Sequence, residues 1–336
     1  MRDNGCARAL LLSRAALAPH ARSPVGWADV REILKAFVMT HAEKLACVSD
    51  PAGWDAALDA VAADFVQRKL VNVTGDDGQL VHSLSSDMSL LSAVTEGFLS
   101  TGGCERTLTP RSGGYGPSAG SNGAPSGPPG RRGGVVHRLA LFKHGTISSI
   151  LSQSDCMGYL AQHASLLGPL ASASLASLGF VTGREVVCVA PETPTHAAFA
   201  TMFASHVSAV GVTGPDGTMV ANLSASDLRR LQPNNFRVLA LPVSDFLASL
   251  AAGHSAGSAI SLAKAAAAGA VGGANAPVTV SPDSPFLGVL ELLGSQKPRV
   301  HRVYLCEKGV PVGVITATDV LRMLADKEAG RDTAVP

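Results

Sequence analysis

With 336 residues, 46% of them apolar, the chain can fill two cores of ordinary size, which excludes disorder along its whole length. Its 27 basic and 26 acidic residues leave a formal charge of +1, so no global field draws it to nucleic acid or to an anionic membrane, and any anion must be held locally. Aromatics at 4% call for a core of Ala, Val, Leu and Ile.

In chain order, residues 1–21 carry Arg2, Arg8 and Arg14 against the single acid Asp3, a composition shared by organelle transit peptides and by the start of a truncated element. Residues 22–40 hold Pro24-Val25-Gly26-Trp27-Ala28-Asp29, which echoes the chain from Pro311-Val312-Gly313 onwards, three residues short before the Asp. They are expected to be the remnant of a repeat whose first helix and strand are missing. Residues 41–84 are expected as a connector with a helix from Trp54 to Leu70 and a short strand from Val71 to Val73.

Residues 85–165 form one copy of a repeat, interrupted at 103–134 by a Gly-, Pro- and Ser-rich segment expected to be disordered. The uncharged stretch from Ala164 to Gly183 is diluted by serines, so residues 166–183 are predicted as a packed linker helix rather than a membrane span. A second copy covers 184–232, a linker 233–275, a third copy 276–327, and a tail 328–336. Each intact copy reads strand, acid and turn, helix, two strands around a Gly-containing turn, then Ser or Thr leading to Asp and a final helix, in the order β-α-β-β-α.

Spacing supports the match. His137 to Asp155 equals His301 to Asp319, while Asp87 to His137 exceeds Asp283 to His301 by the length of the 103–134 segment. The six cysteines show no CxxC or ligand-like spacing, which argues against zinc, a redox pair or a disulfide framework and fits a reducing compartment.

Three such copies, with HRLALF, SASDL, VHRVYL and GVITATDVL in that order, resemble CBS domains, which pair into Bateman modules. The arrangement is similar to the gamma subunit of AMP-activated and sucrose-non-fermenting protein kinases, of the plant and algal gamma-like type. The resemblance implies an α/β fold of tandem CBS repeats with a degenerate first copy. It also implies a non-catalytic, energy-sensing role in which AMP, ADP or ATP is a regulatory ligand and no cofactor is used. The expected partners are the catalytic and scaffold subunits of a protein kinase complex, with no nucleic acid and no membrane, in the cytoplasm or nucleus before an organelle. Two other outcomes stay open: a ligand-free interaction scaffold, and a sensor of another adenosyl ligand.

Asp155, Asp227 and Asp319 each stand three residues after Ser152, Ser224 or Thr316 at a strand-to-helix junction. There a carboxylate can accept both ribose hydroxyls while the hydroxyl and the helix amides meet phosphate. The resemblance implies nucleotide contact for Ser224, Ser226 and Asp227 and for Thr316, Thr318 and Asp319. The same spacing also suits a capping box that serves the helix alone. His137-Arg138 and His301-Arg302 open a strand on which alternation sends neighbours to opposite faces. The resemblance carries phosphate binding to both pairs, and a solvated edge or a packed histidine is the alternative. The small residues of Val207 to Val212 would let a base lie close, although core packing explains them equally well.

Gly116 to Gly120 and Gly253 to Gly257 spell GxSxG, but neither lies between a buried strand and a helix as a hydrolase nucleophile requires.

Overall fold

The computed structural model describes residues 8–12, 24–29, 56–57, 60, 67, 83–85, 88–99, 136–143, 146–181, 186–231, 236–251, 276–295 and 300–330. Strand β1 (Arg8–Leu12) pairs antiparallel with β2 (Pro24–Asp29). The remnant expected from residue 22 onward is therefore one arm of a hairpin. Its other arm is the aliphatic run from Ala9 to Leu12, which the arginine-rich composition of 1–21 obscured. Ala56, Ala57, Ala60 and Gln67 are helical within the helix expected at 54–70. The expected strand at 71–73, the 103–134 insertion, most of the 233–275 linker and both GxSxG stretches lie outside the described residues.

Three three-stranded sheets share one plan. In the first, β3 (Ser83–Ser85) lies parallel to β4 (Arg138–Lys143), which pairs antiparallel with β5 (Thr146–Ser152). The second is built of β6 (Cys188–Val189), β7 (Ala209–Thr213) and β8 (Met219–Ser224), and the third of β9 (Thr279–Val280), β10 (Arg302–Glu307) and β11 (Val310–Thr316), with the same senses. All three hairpins carry a register shift just before the turn, at Leu141/Phe142, Val212/Thr213 and Leu305/Cys306. An irregularity at the same place in each copy twists the hairpin the same way, which extends the repeat from spacing to geometry.

Helices close each unit. Helix α1 (Leu90–Ser92) runs on as a π-helix (Ala93–Phe98) in the first unit, succeeded after β5 by α2 (Gln153–Gln162). Helix α3 (Thr195–Ala204) serves the second. That unit's final helix is only a 3-10 turn, Ala225–Arg230, because Pro233 stands close behind and cannot continue a helical ladder. Helix α4 (Val243–Ala251) precedes the third unit, whose own helices are α5 (Phe286–Ser295) and α6 (Ala317–Glu328).

The predicted linker helix at 166–183 differs in kind and length. A 3-10 helix spans Ala164–Ser172 and is broken at Gly168, where φ is 52° just ahead of Pro169; turns occupy 175–179. Proline removes an N–H donor and glycine reaches a φ that other residues avoid, so no α-helix crosses this dipeptide.

Beyond the break the chain is docked, not loose. Leu175 N–H donates to the Ser284 carbonyl, Ala176 N–H to Pro282 and Phe286 N–H to Ala173, while Phe180 stacks on Phe286 with ring centroids 6.0 Å apart. The second linker does the same for the second unit: Thr195 N–H donates to Leu241, Val243 N–H to Thr193 and Ser244 N–H to Pro191. The segment that leads into the second unit is thus bound by the third, and the segment that leads into the third is bound by the second. Ser174 bridges Pro285 as Pro242 bridges Pro194. The two units are intertwined.

Among the described residues, two large apolar cores and a small cluster around Ala140 result. One gathers Leu139, Cys156 and Met157 of the first unit, Leu175 and Phe180 of the linker, and Phe286, Leu290, Val303 and Leu305 of the third. The other packs Phe199, Met202, Val210 and Leu223 of the second unit against Leu239, Val243 and Phe246. Within the first, α2 and α5 cross in backbone contact: a Cβ on Gly294 would stand 2.7 Å from the Met157 carbonyl oxygen.

Candidate functional site

The strand alternation that buries Val303 and Leu305 against helices turns Arg302 and Tyr304 to the opposite face of the third sheet. In β8 the same alternation buries Ala221 and Leu223 and leaves Asn222 and Ser224 on the other face. These two outer faces meet. Arg302 donates from Nη1 to Asn222 Oδ1 at 3.3 Å and from Nη2 to Ser208 Oγ at 3.2 Å, and Tyr304 donates its hydroxyl to the same Asn222 Oδ1 at 2.7 Å. At the turns, Met219 N–H donates to the Gly309 carbonyl, closing the seam between the second and third units.

Arg302 is drawn from water at this seam. Burial pushes its pKa down, and the neighbouring Tyr304 and Asp227 groups oppose that by favouring its charge. Tyr304 is buried, which raises its phenol to about 12, with Arg302 pulling the other way.

Of the residues expected to hold a ligand, Arg302 and Asp227 are therefore brought together across the two units. Asp227 Oδ2 accepts the Ser224 N–H at 2.8 Å, and the half-buried Ser226 donates its N–H to Ser224 Oγ. The capping-box geometry is present here and at both other junctions. Asp155 Oδ2 accepts from Ser152 N and Oγ at 2.9 and 2.6 Å, and Asp319 Oδ2 accepts from Thr316 N and Oγ1 at 2.8 and 2.6 Å. Each pair of bonds uses Oδ2. Asp155 is exposed, whereas Asp227 and Asp319 are half-buried.

A second cluster joins the first and third units. Thr318, which is buried, donates its hydroxyl to Gln153 Oε1 at 3.0 Å; His137 Nδ1 stands 3.3 Å from the same oxygen, and Gln153 Nε2 donates to the Val136 carbonyl. Thr318 thus serves a contact between helix starts. His137 precedes β4 and is engaged with Gln153, while Arg138 sits in the strand opposite Ser152. His301 is exposed just ahead of β10, while Arg302 makes its hydrogen bonds across the seam.

The space expected for a base beside the small residues of β7 is filled: a Cβ on Gly211 would meet Cys188 Sγ at 2.8 Å and the Met219 thioether at 3.1 Å. The sequence pattern did not single out Asn222, Tyr304 or Gln153, and it noted Ser208 only as one small residue of the Val207 to Val212 stretch. The available signal was a polar residue, Asn222, set inside the apolar strand MVANLS. Among the described residues no group of His, Cys, Asp and Glu could hold a metal ion, and no helix is long and apolar enough to cross a membrane.

Residues 274–326 match the family model of the CBS domain. Among solved structures, a protein of Methanocaldococcus jannaschii described as a candidate archaeal homolog of g-AMPK aligns over 95% of this chain and 88% of its own, at 10% identity and a TM-score of 0.51. A CBS domain protein of Pyrobaculum aerophilum complexed with AMP aligns over 45% of this chain and 89% of its own, at 16% identity and a TM-score of 0.29, too weak a likeness to add to the assignment. No curated protein matches the sequence. Third-unit sequence, repeated sheet plan and whole-chain likeness agree: the fold is α/β, with repeated sheet-and-helix units consistent with CBS repeats.

Proposed function

We propose that the chain is a non-catalytic regulatory protein in which the paired repeats at 184–327 bind an adenine nucleotide, and that it serves as the gamma-like subunit of a protein kinase complex in the cytoplasm. One observation carries the nucleotide reading: a desolvated guanidinium, Arg302, stands within electrostatic reach of the Asp227 carboxylate across the seam of two repeats. A cation for phosphate and an acid for ribose hydroxyls are what one nucleotide needs at its two ends. Ser224 and Ser226 flank the acid. Thr316 and Asp319, with the exposed His301, would supply the matching set from the other repeat, whereas Thr318, buried and bonded to Gln153 of the first unit, is taken up by that contact. Ser152, Asp155, His137 and Arg138 would offer a weaker site in the first unit. The kinase role rests on the resemblance of the repeats and on the fold shared with the M. jannaschii protein. Regulation then requires the nucleotide to bind two states of the assembly with different affinity.

A ligand-free scaffold is the second reading. It is favoured by Cys188 and Met219 filling the space beside Gly211 and by the Asp carboxylates already serving as caps. Calorimetric titration with AMP, ADP, ATP and S-adenosylmethionine separates the two. Nucleotide binding that weakens by about tenfold or more in Arg302→Gln, the weight of a hydrogen bond to a charged group, supports the sensor. Silence with every ligand leaves the scaffold, and binding of S-adenosylmethionine alone reassigns the ligand.

A further inference from the structure

The direct partners of Arg302 at the seam are neutral. Asn222 Oδ1 and Ser208 Oγ each take one N–H from a terminal nitrogen, and Asn222 is itself pinned by the Tyr304 hydroxyl on the same oxygen. A guanidinium has five N–H donors, so the bonds to Asn222 and Ser208 do not exhaust its capacity for an anion. Long side chains lose about 0.5–1.5 kcal/mol of freedom when a ligand immobilises them. Arg302 is already held before any ligand arrives. A carboxylate in the place of the Asn222 amide would hold it as well, but would also cancel its charge.

We infer that Asn222, pinned by Tyr304 and assisted by Ser208, is the positioning residue that sets specificity for an anionic ligand: it fixes Arg302 through a neutral bond and adds no carboxylate beyond the neighbouring Asp227, so the seam selects the phosphate-bearing form of a nucleoside over the neutral one. This rests on the nucleotide reading of the seam and adds the residues that determine its selectivity. Asn222 lies 80 positions from Arg302 in sequence and belongs to the other repeat, so the selectivity is a property of the pair.

The test compares AMP with adenosine by calorimetry on the full chain. In the wild type, AMP binds more tightly than adenosine. In Asn222→Asp, which keeps size and the bond to Arg302, the ratio of the two affinities falls to about 1. In Tyr304→Phe, which frees the Asn222 amide, the ratio falls by about threefold to tenfold. A purely structural role for Asn222 would move both ligands together and leave the ratio intact; that result, or an unchanged ratio in Asn222→Asp with a retained thermal unfolding transition, overturns the inference. Equal affinities in the wild type overturn it while leaving a nucleoside sensor. No binding of either compound removes both it and the reading it rests on.

Discussion

At each junction one aspartate oxygen is committed to the fold. Oδ2 of Asp155, Asp227 and Asp319 accepts the N–H of the residue three positions earlier. Removing the acid therefore tests capping and ligand contact at once, whereas Arg302→Gln leaves the helix caps intact but removes the Asn222 and Ser208 bonds of the seam, so its binding loss is read against a retained thermal unfolding transition. Tyr304 is testable on its own. Burial holds its proton to about 12 in the folded chain, against about 10 in an unfolded one. A raised acid pKa contributes stability that is fully present below pH 10 and is lost as the pH climbs towards 12. The denaturation midpoint, followed over that window, should fall more steeply in the wild type than in Tyr304→Phe; parallel curves would contradict the burial. The capping boxes were legible because Ser or Thr and Asp stand three apart in one segment. The seam was not: Arg302, Tyr304 and Thr318 find their partners 80 to 165 positions away, and no local pattern announces such a pair.

Helices and strands were legible where period and turn chemistry agree. Alternation in VHRVYL places β10 and even sorts its faces, and Lys308-Gly309, with φ of 51° and 87°, closes a two-residue turn of the kind strand twist favours. Where several small residues compete, pattern failed: the 166–183 linker breaks at Gly168-Pro169, and the helix after Ser224 stops as a 3-10 turn. Packing between elements is most exposed to test where α2 crosses α5. Gly294→Ala would drive a methyl into the Met157 carbonyl and the Gly158 nitrogen, backbone atoms that cannot step aside. The clash, about 1–3 kcal/mol, outweighs the gain of up to ~1 kcal/mol from replacing a helical glycine. Gly288→Ala lies on the same helix with nothing within 4 Å of the new methyl, so it should gain where Gly294→Ala loses. Thermal unfolding of the two variants checks the sign, and a stabilised Gly294→Ala would show that the two helices do not touch at this crossing.

For the whole molecule, the decisive feature is the intertwining. The first linker, through Leu175 and Phe180, completes the core of the third unit, while α4 completes that of the second. Neither intact repeat is a self-contained domain, so a ligand at their seam can be felt by the first unit, which shares a core with the third. Leu175 is fully buried, and Leu175→Ala should cost about 2–5 kcal/mol. Chemical denaturation should show that loss in one transition covering both intact repeats; an undisturbed second unit would mean that they fold apart. The strand and helix order of each unit was visible in the sequence, but the swap was not, because a linker's own composition does not say which neighbour it serves.

Whether the seam is a nucleotide site is decided by a crystal structure grown with AMP. We expect the nucleotide between the β7–β8 and β10–β11 hairpins, its phosphate within about 3 Å of Arg302 and its ribose facing the Asp227 carboxylate. An Arg302 guanidinium with no phosphate within hydrogen-bond reach at saturating AMP, or AMP seated elsewhere, would contradict that expectation.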